Sequence, residues 1–446
     1  KYTRGFEEFK AYLDTQTMEQ LSKWCGISVT DIEKLTDIFC STAKIPLVAY
    51  TGLEYQLSAI QNNRAIFVLW AITGKLDAPG AIYLNAKGLE TPKLFEIPED
   101  DKPIGADEFP LFYKFSGLGQ FSRFPKAVLE DEPYPVRGLM ILGGSPVLSF
   151  PDSKSWREAY KKLDCLIVLD RYFTEDARYA DVVFPACSLF EVPKAVPGPE
   201  GPHIVEPLIE PVGESKNDVL IMGAIAKKLG FGDKLPQTEE ELRSWLLSGT
   251  APYAGDFGTG AGQKKEKHYK KYETGELRAD GKPGFPTPSG KLEICSTILE
   301  ENGFVQYPEY KDVRSIPELA GKEYPFTMTS GARSNNRMGV FGANLDKIAE
   351  IEPYPFVDIN AEDAKEIGIE DGDMVKVITP FANGTFKAKI RGIARHAIHI
   401  PHGGGSAYMA EPWKNGNVND LCSLDYADPM TGFVLIKSVP CRVEKV

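Results

Sequence analysis

At 446 residues the chain exceeds what a single hydrophobic core holds, so two or three domains are expected. A composition of 42% hydrophobic and 26% charged residues, with 41 Gly and 33 Pro, excludes a coiled coil or a disordered polymer and fits a loop-rich α/β chain. The net charge of −12 excludes a nucleic-acid footprint, which needs a basic face to neutralise phosphate.

The chain opens Lys1-Tyr2-Thr3 without an initiator Met or export signal, which reads as a cleaved, trimmed or split piece. Apolar spacing predicts helices over Phe6–Tyr12 and Met18–Trp24, and Thr30-Asp31-Ile32-Glu33 reads as an N-cap with an acidic first turn. Ile45-Pro46-Leu47-Val48-Ala49-Tyr50 predicts a buried strand, closed by Thr51-Gly52 and the polar loop Glu54-Tyr55-Gln56, with a helix over Ile60–Ile72. The longest apolar run, Ala65–Ile72, is about two helical turns, too short to cross a bilayer, so direct membrane insertion is not expected.

A second strand, loop and helix unit starts at Gly138-Leu139-Met140-Ile141-Leu142, turns at Gly143-Gly144-Ser145-Pro146 and continues into a helix over Ser155–Leu163. Strands Cys165–Leu169 and Asp181–Phe184 follow, ending at Asp170 and Pro185, so strands alternate with helices as a parallel doubly wound sheet requires. Loops after such strands share one edge, where ligands bind. Pro193–Glu214 and Thr250–Pro288 read as long irregular excursions, of the kind that cover a ligand or a neighbouring subunit. The basic run Lys264–Lys271 reads as a solvated surface loop. Beyond Tyr324 short β-rich runs predominate: Pro325–Thr329, Met374–Thr379, Gly384–Arg391, Ala397–Pro401 and Val434–Val443, with one helix over Asn360–Ile367. These predict a β-barrel.

The seven cysteines are scattered singly without a CxxC, which excludes a sequence-local iron–sulfur or zinc motif. Most sit among apolar neighbours, as in Asp164-Cys165-Leu166-Ile167-Val168, and read as buried free thiols.

Three elements carry family information in order: Gly143-Gly144-Ser145-Pro146 with Pro151-Asp152; Val168-Leu169-Asp170-Arg171-Tyr172-Phe173-Thr174; and Ala180-Asp181-Val182-Val183-Phe184-Pro185 with Glu191. Later come Thr287-Pro288-Ser289-Gly290-Lys291-Leu292-Glu293, Ser330-Gly331-Ala332-Arg333, Val357-Asp358-Ile359-Asn360, Asp371-Gly372-Asp373, His402-Gly403, Val418-Asn419-Asp420-Leu421, Asp428-Pro429 with Gly432, and Lys437 with Arg442. Together these resemble the molybdopterin oxidoreductases of the dimethyl sulfoxide reductase family, in the branch of formate dehydrogenases, thiosulfate or polysulfide reductases and acetylene hydratase. The resemblance covers the carboxy-terminal part of the catalytic large subunit. It implies α/β domains with doubly wound parallel sheets followed by a six-stranded double-psi-type β-barrel. The expected division is 1–90, the remainder of an α/β cofactor domain; 91–320, a second α/β cofactor domain with long excursions; and 321–446, the dinucleotide-binding barrel.

The same resemblance implies two molybdopterin guanine dinucleotides and a molybdenum or tungsten ion. A [4Fe–4S] cluster and the metal's protein ligand would lie in an amino-terminal part with no counterpart here. An iron–sulfur electron-transfer subunit and a small-molecule substrate are the implied partners. Gly143 and Gly144 would bring backbone N–H groups close to a phosphate or dithiolene, with Pro146 fixing the loop; a plain tight turn is the alternative. Asp170 would accept from the N1–H and N2–H₂ of a guanine, and Thr174 would reach a ribose or phosphate; Asp170 would otherwise be a helix N-cap. This chain has Asp176 where the family often has a second Thr.

Ser330, Gly331 and Arg333 offer donors suited to phosphate, Asn419 a pterin-edge partner, and His402 with Gly403 likewise; a satisfied core or surface histidine is the other reading of His402. Lys437 completes the implied set, although a charge on a strand is ordinarily solvated. Glu54 and Gln56 are candidates for substrate-side polar groups, against the alternative of an ordinary surface loop. The leading functional expectation is a two-electron oxidoreductase; the alternatives are a non-redox hydratase or transhydroxylase and a cofactor-free structural subunit of a redox complex.

Overall fold

The computed structural model describes residues 1–84, 102–196, 198, 201–248, 267–331, 345–409 and 411–446. It divides into two compact units, one of residues 1–90 with 264–311 and one of residues 91–263 with 312–446. The expected span 91–320 is therefore shared between them, and the barrel clusters with the parallel sheet.

In the first unit the apolar spacing forms helices Phe6–Leu13, Met18–Cys25, Val29–Ser41 and Ala59–Ile72. The third starts from Ser28, whose hydroxyl accepts from Asp31 N–H at 3.2 Å, so Thr30 lies inside the helix rather than capping it. Thr3–Arg4 pairs in parallel with Leu292–Glu293, which brings the 267–311 segment against the first helices. Arg64 fastens that junction by donating to the carbonyls of Ile294 and Gln306 at 2.7 and 2.9 Å. Ile45–Tyr50 forms no strand, with Val48 and Tyr50 96% and 84% exposed. A fully apolar strand is stable only between hydrogen-bonded neighbours, and among the described residues none pairs with it.

The basic run does not stay in solvent as expected. Lys264 and Lys265 lie outside the described residues, Lys267 and Lys270 are exposed, but Lys271 is 2% exposed, its ammonium 2.5 Å from Asp77 Oδ1. Asp77 also accepts from Lys271 N–H at 2.7 Å and from Leu84 N–H at 3.2 Å. This unit thus holds a closed buried ion pair, which survives burial because both partners are neutralised and hydrogen-bonded.

The second unit carries a three-stranded parallel sheet, β1 (Gly138–Leu142), β2 (Cys165–Asp170) and β3 (Val182–Pro185), in that spatial order. Between β1 and β2 runs the helix Ser153–Lys162, capped by Asp152, whose carboxylate accepts from Ser155 N–H at 3.2 Å. Its inner face sets Trp156, fully buried and stacked on Phe124 at 5.5 Å, among Val128, Val147, Leu166 and Val168. Truncating such a side chain costs about 3–5 kcal/mol, so this aromatic cluster anchors the sheet and fixes where its loops emerge. Cys165 opens β2 and is exposed, as are Cys25 and Cys40, contrary to the expected buried thiols: its apolar neighbours are turned inward while the strand's first residue lies at the sheet's rim.

The carboxy-terminal runs close into a six-stranded barrel: β4 (Phe326–Ser330), β5 (Phe356–Asn360), β6 (Met374–Ile378), β7 (Asn383–Arg391), β8 (Ala397–Ile400) and β9 (Lys437–Lys445), in the spatial order β6-β7-β5-β8-β4-β9. Two pairs, β7 with β5 and β8 with β4, are parallel and the others antiparallel. Met328, Ile359, Val375, Phe386, Ile398 and Val439 are fully buried and fill its interior. Asn360 caps the short helix Ala361–Glu366 by accepting from Glu362 and Asp363 N–H. Pro193–Glu214 is less irregular than expected, since Lys194–Val196 and His203–Val205 form a small antiparallel pair.

Candidate functional site

The sheet register places two candidate loops side by side. Leu142 pairs with Leu169, so Gly143 and Asp170 leave adjacent strands at the same edge, and Gly143 N–H donates to Leu169 O at 2.9 Å. Gly143 has φ +59°, and a Cβ there would meet nothing within 4 Å, so its outer face is open. Gly144 follows, and Pro146 starts the four-residue turn of helix Pro146–Ser149, buried as the loop's foot. Asp170 is half-buried and accepts from Tyr172 N–H at 3.0 Å, so it terminates the strand and turns the chain without capping a helix. Thr174 accepts from Ala177 N–H at 3.3 Å.

Behind these loops stand two adjacent carboxylates. Asp176, with no exposed surface, accepts from the hydroxyl of Ser145, from Val147 N–H at 3.1 Å and from Tyr160 Oη–H at 2.8 Å. Burial pushes its carboxyl above the ordinary range despite those donors, and pushes the Tyr160 phenol up as well. Glu175, 2% exposed, accepts from Ala407 N–H at 3.0 Å and pairs with Arg178 at 2.7 Å.

Asp218 is a further candidate, one without a signal in the sequence reading. It opens the helix Asp218–Lys228, and burial together with the charge of Asp170 raises its carboxyl pKa against the opposing charge of Arg171. Its Oδ1 is buried with no hydrogen-bond partner among the described residues. An unpaired buried acceptor is costly, so a carboxylate held this way next to Asp170 is matched to a ligand edge rich in N–H donors. From sequence Asp218 is an acidic first-turn residue like many others.

The second half of the site lies at one end of the barrel. Parallel pairing of β4 with β8 sets Ser330 opposite Ile400, so Gly331 and the segment His402-Gly403-Gly404-Gly405 leave the same rim. Lys437 begins β9 opposite Thr329 and is 8% exposed, not solvated as a strand charge ordinarily is. Its ammonium donates to Ser330 O and lies beside Gly331, whose φ of +101° favours glycine. Burial lowers the Lys437 pKa. Ser330 Oγ is buried without a hydrogen-bond partner among the described residues. Arg333 lies outside the described residues. His402 is half-buried.

Direct contacts join the two halves. A Cβ on Gly405 would lie 2.8 Å from Asn417 Cβ and 3.0 Å from Leu148, so the glycine permits the barrel loop to touch the loop after β1. Asn417 donates to Ser153 Oγ at 2.9 Å. Asn419, 4% exposed, donates its side-chain amide to Leu148 O at 2.7 Å, while its carbonyl accepts from Asp152 N–H at 3.0 Å. Asn419 therefore ties the carboxy-terminal segment to the sheet loop. Gly143 and Asp170 thus share one sheet edge, and Asn419 and Gly405 touch the segment that follows Gly143. Glu54 and Gln56 are half-buried in the first unit, within the turns preceding Ala59–Ile72. A cleft of about 790 Å³ lined by Lys102, Ile104, Arg123 and Tyr134, among others, includes none of these residues. Among the described residues no group of His, Cys, Asp and Glu is arranged to hold a metal ion.

The donor set fits a pterin dinucleotide: among the described residues, one carboxylate oxygen at the sheet edge and one hydroxyl beside the buried ammonium at the barrel rim have no hydrogen-bond partner. Comparison with known proteins agrees. Residues 51–228 match the family model Molybdopterin oxidoreductase, and residues 327–440 match the Molydopterin dinucleotide binding domain. The chain is 28% identical over 387 residues to a probable oxidoreductase, YoaE, of Bacillus subtilis, covering 84% of this chain and 54% of the relative. It is 27% identical over 424 residues to a formate dehydrogenase subunit alpha of Methanocaldococcus jannaschii, covering 90% and 59%. The solved acetylene hydratase from Pelobacter acetylenicus shares its fold, with a TM-score of 0.79, 21% identity, and coverage of 100% of this chain and 67% of that one. The chain thus spans between half and two thirds of the length of these proteins. With both signature domains present in order on the expected fold, it belongs to the molybdopterin oxidoreductases of the dimethyl sulfoxide reductase family and binds a molybdopterin cofactor.

Proposed function

We propose that this chain is the larger part of the catalytic subunit of a bis(molybdopterin guanine dinucleotide) enzyme acting on a small substrate, and that it holds the dinucleotide tails. The observation that carries this is the half-buried carboxylate of Asp218, close enough to Asp170 for their charges to interact, whose Oδ1 has no hydrogen-bond partner among the described residues. Guanine offers N1–H and N2–H₂ on one edge, which two carboxylates receive. Gly143 and Gly144 would present backbone to a pyrophosphate, and Thr174 a hydroxyl. At the rim Ser330, Gly331 and Lys437, with Arg333, would meet a second anionic tail, and His402 with Gly403 a pterin edge. Asn419 would act chiefly by positioning the loop after β1.

When bound, the pterins and their molybdenum or tungsten supply two-electron chemistry, while the protein contributes orientation, electrostatics and exclusion of water. A [4Fe–4S] cluster and an iron–sulfur partner subunit belong to the same reading. Glu54 and Gln56 remain candidates for the substrate side, where Glu54→Gln would lower turnover without lowering pterin content.

Pterin and metal quantitation on the full-length protein tests this. Two pterins per molybdenum or tungsten are expected, and a protein lacking pterin when produced in a cofactor-competent host refutes it. A second reading, hydration without net redox, draws on the shared fold with acetylene hydratase. Substrate-dependent reduction of a dye supports the redox reading, and product formation without it supports hydration.

A further inference from the structure

Glu175 and Asp176 are consecutive, both essentially without exposed surface, and reach in different directions. Asp176 gathers Ser145, Val147 and Tyr160, holding the loop after β1 on one side and the helix Ser153–Lys162 on the other. Glu175 takes Ala407 N–H at 3.0 Å with one oxygen and Arg178 at 2.7 Å with the other, with Arg157 Nε at 3.9 Å. Phe173 and Tyr408 meet edge to face at 5.3 Å beside that link. The end of β2 and the segment after it, which carry Asp170 and Thr174, are therefore fastened to the segment carrying Gly143 and Gly144 and to the one carrying Ala407.

The attachments at Ser145, Val147 and Ala407 are hydrogen bonds donated by a hydroxyl or backbone N–H of the segments that carry the glycines, where small displacements move the proposed ligand's partners directly. Apolar packing resists separation but does not fix a loop's register; buried directional bonds do. A carboxylate is suited to Asp176's place because it is acceptor-only, and all three of its partners there are donors. The titratable or charged groups facing the pair are Tyr160 for Asp176, and Arg157 and Arg178 for Glu175.

We propose that Glu175 and Asp176 are positioning residues of the dinucleotide site: together they set the spacing of the loops after β1, β2 and β8. This rests on the dinucleotide reading above. In an Asp176→Asn variant the amide oxygen still accepts from Val147 and Tyr160, and the amide nitrogen faces Ser145 Oγ, which can turn to accept. In Asp176→Ala three donors lose their acceptor.

The test uses the full chain, with guanosine diphosphate binding by calorimetry and amide hydrogen exchange in the same samples. Asp176→Ala is expected to weaken binding tenfold or more and to speed exchange in 143–149, leaving β4–β9 unchanged; Asp176→Asn should stay within threefold of wild type. Glu175→Ala should speed exchange in 403–409 instead. Ser145→Ala, which removes one attachment, gives an intermediate loss and serves if Asp176→Ala does not fold. Unchanged affinity in both Asp176→Ala and Ser145→Ala, or exchange that rises evenly across the chain, overturns the proposal. If the wild-type chain binds no guanosine diphosphate, the dinucleotide reading fails, while a local exchange response still supports loop positioning and a diffuse one overturns it.

Discussion

Among the described residues three lysines are buried, Lys75, Lys271 and Lys437, and the last two are solved differently. Lys271, in the first unit, meets a carboxylate at 2.5 Å and the carbonyl of His268 at 2.8 Å, and Asp77 is itself saturated by backbone donors. Lys437, in the second, has a main-chain carbonyl and, among the described residues, no carboxylate partner. The first arrangement is complete without any ligand. The second, among the described residues, leaves a desolvated charge next to a hydroxyl without a hydrogen-bond partner, which costs stability unless something anionic or polar arrives. Burial alone does not distinguish structure from function; what each lysine meets once buried is the more telling difference.

Mutations can break this contrast, beginning with the largest effect. Asp77→Ala strands a buried cation and is expected to cost about 3–5 kcal/mol in denaturant unfolding; a loss below about 1 kcal/mol would mean the pair is not closed. At the sheet edge, Asp170→Asn or Asp218→Asn replaces a charged acceptor by an amide. Guanosine diphosphate affinity should fall about 10- to 100-fold, since such bonds carry about 1.5–3 kcal/mol. Xanthosine diphosphate, which presents an oxygen where guanine has an amino group, should gain relative to it; equal losses for both nucleotides would remove guanine recognition from these carboxylates.

Lys437→Met sharpens the contrast from the other side. It should unfold at the same or a higher temperature, within about 1 kcal/mol of wild type, while weakening pterin retention. The pH dependence has a definite sign. Burial depresses the Lys437 pKa, so between the folded value and the ordinary 10.5 the unfolded chain carries more protons, and wild type gains stability as pH rises through that window. The variant should not show that gain. The smallest effect expected is at Glu191, whose carboxyl is held down to about 2 by Ser188, Val212 and Ser215. Its contribution is complete above the ordinary carboxylate pKa and is lost as pH falls from about 4.5 toward 2, a slope Glu191→Gln should remove from acid-unfolding curves.

Elements with short apolar runs between glycine, proline or acidic breaks were legible: Gly138–Leu142 is a strand over the expected residues, and most of the barrel runs lie within a residue or two. Phe356–Asn360 was readable only as a motif, because Pro353 and Pro355 precede it and a helix follows at once. Ile45–Tyr50 shows the opposite failure: composition predicts a strand, but a strand is a property of pairs. In the site, glycine loops and strand-end Asp170 could be placed because their spacing is local. Asp218 hid among ordinary helix-start acids, and the work of Asp176 depends on Ser145 and Tyr160, 31 and 16 residues away.

The contact at Gly405 has a consequence for exchanging parts between relatives. With Leu148 and Asn417 pressed against it, the terminal barrel is keyed to one particular partner surface. A chimera that imports a foreign barrel from about residue 321 onward, while keeping the native 143–153 and 170–178, would join mismatched halves. Only grafts that carry those two loops along should yield a soluble hybrid.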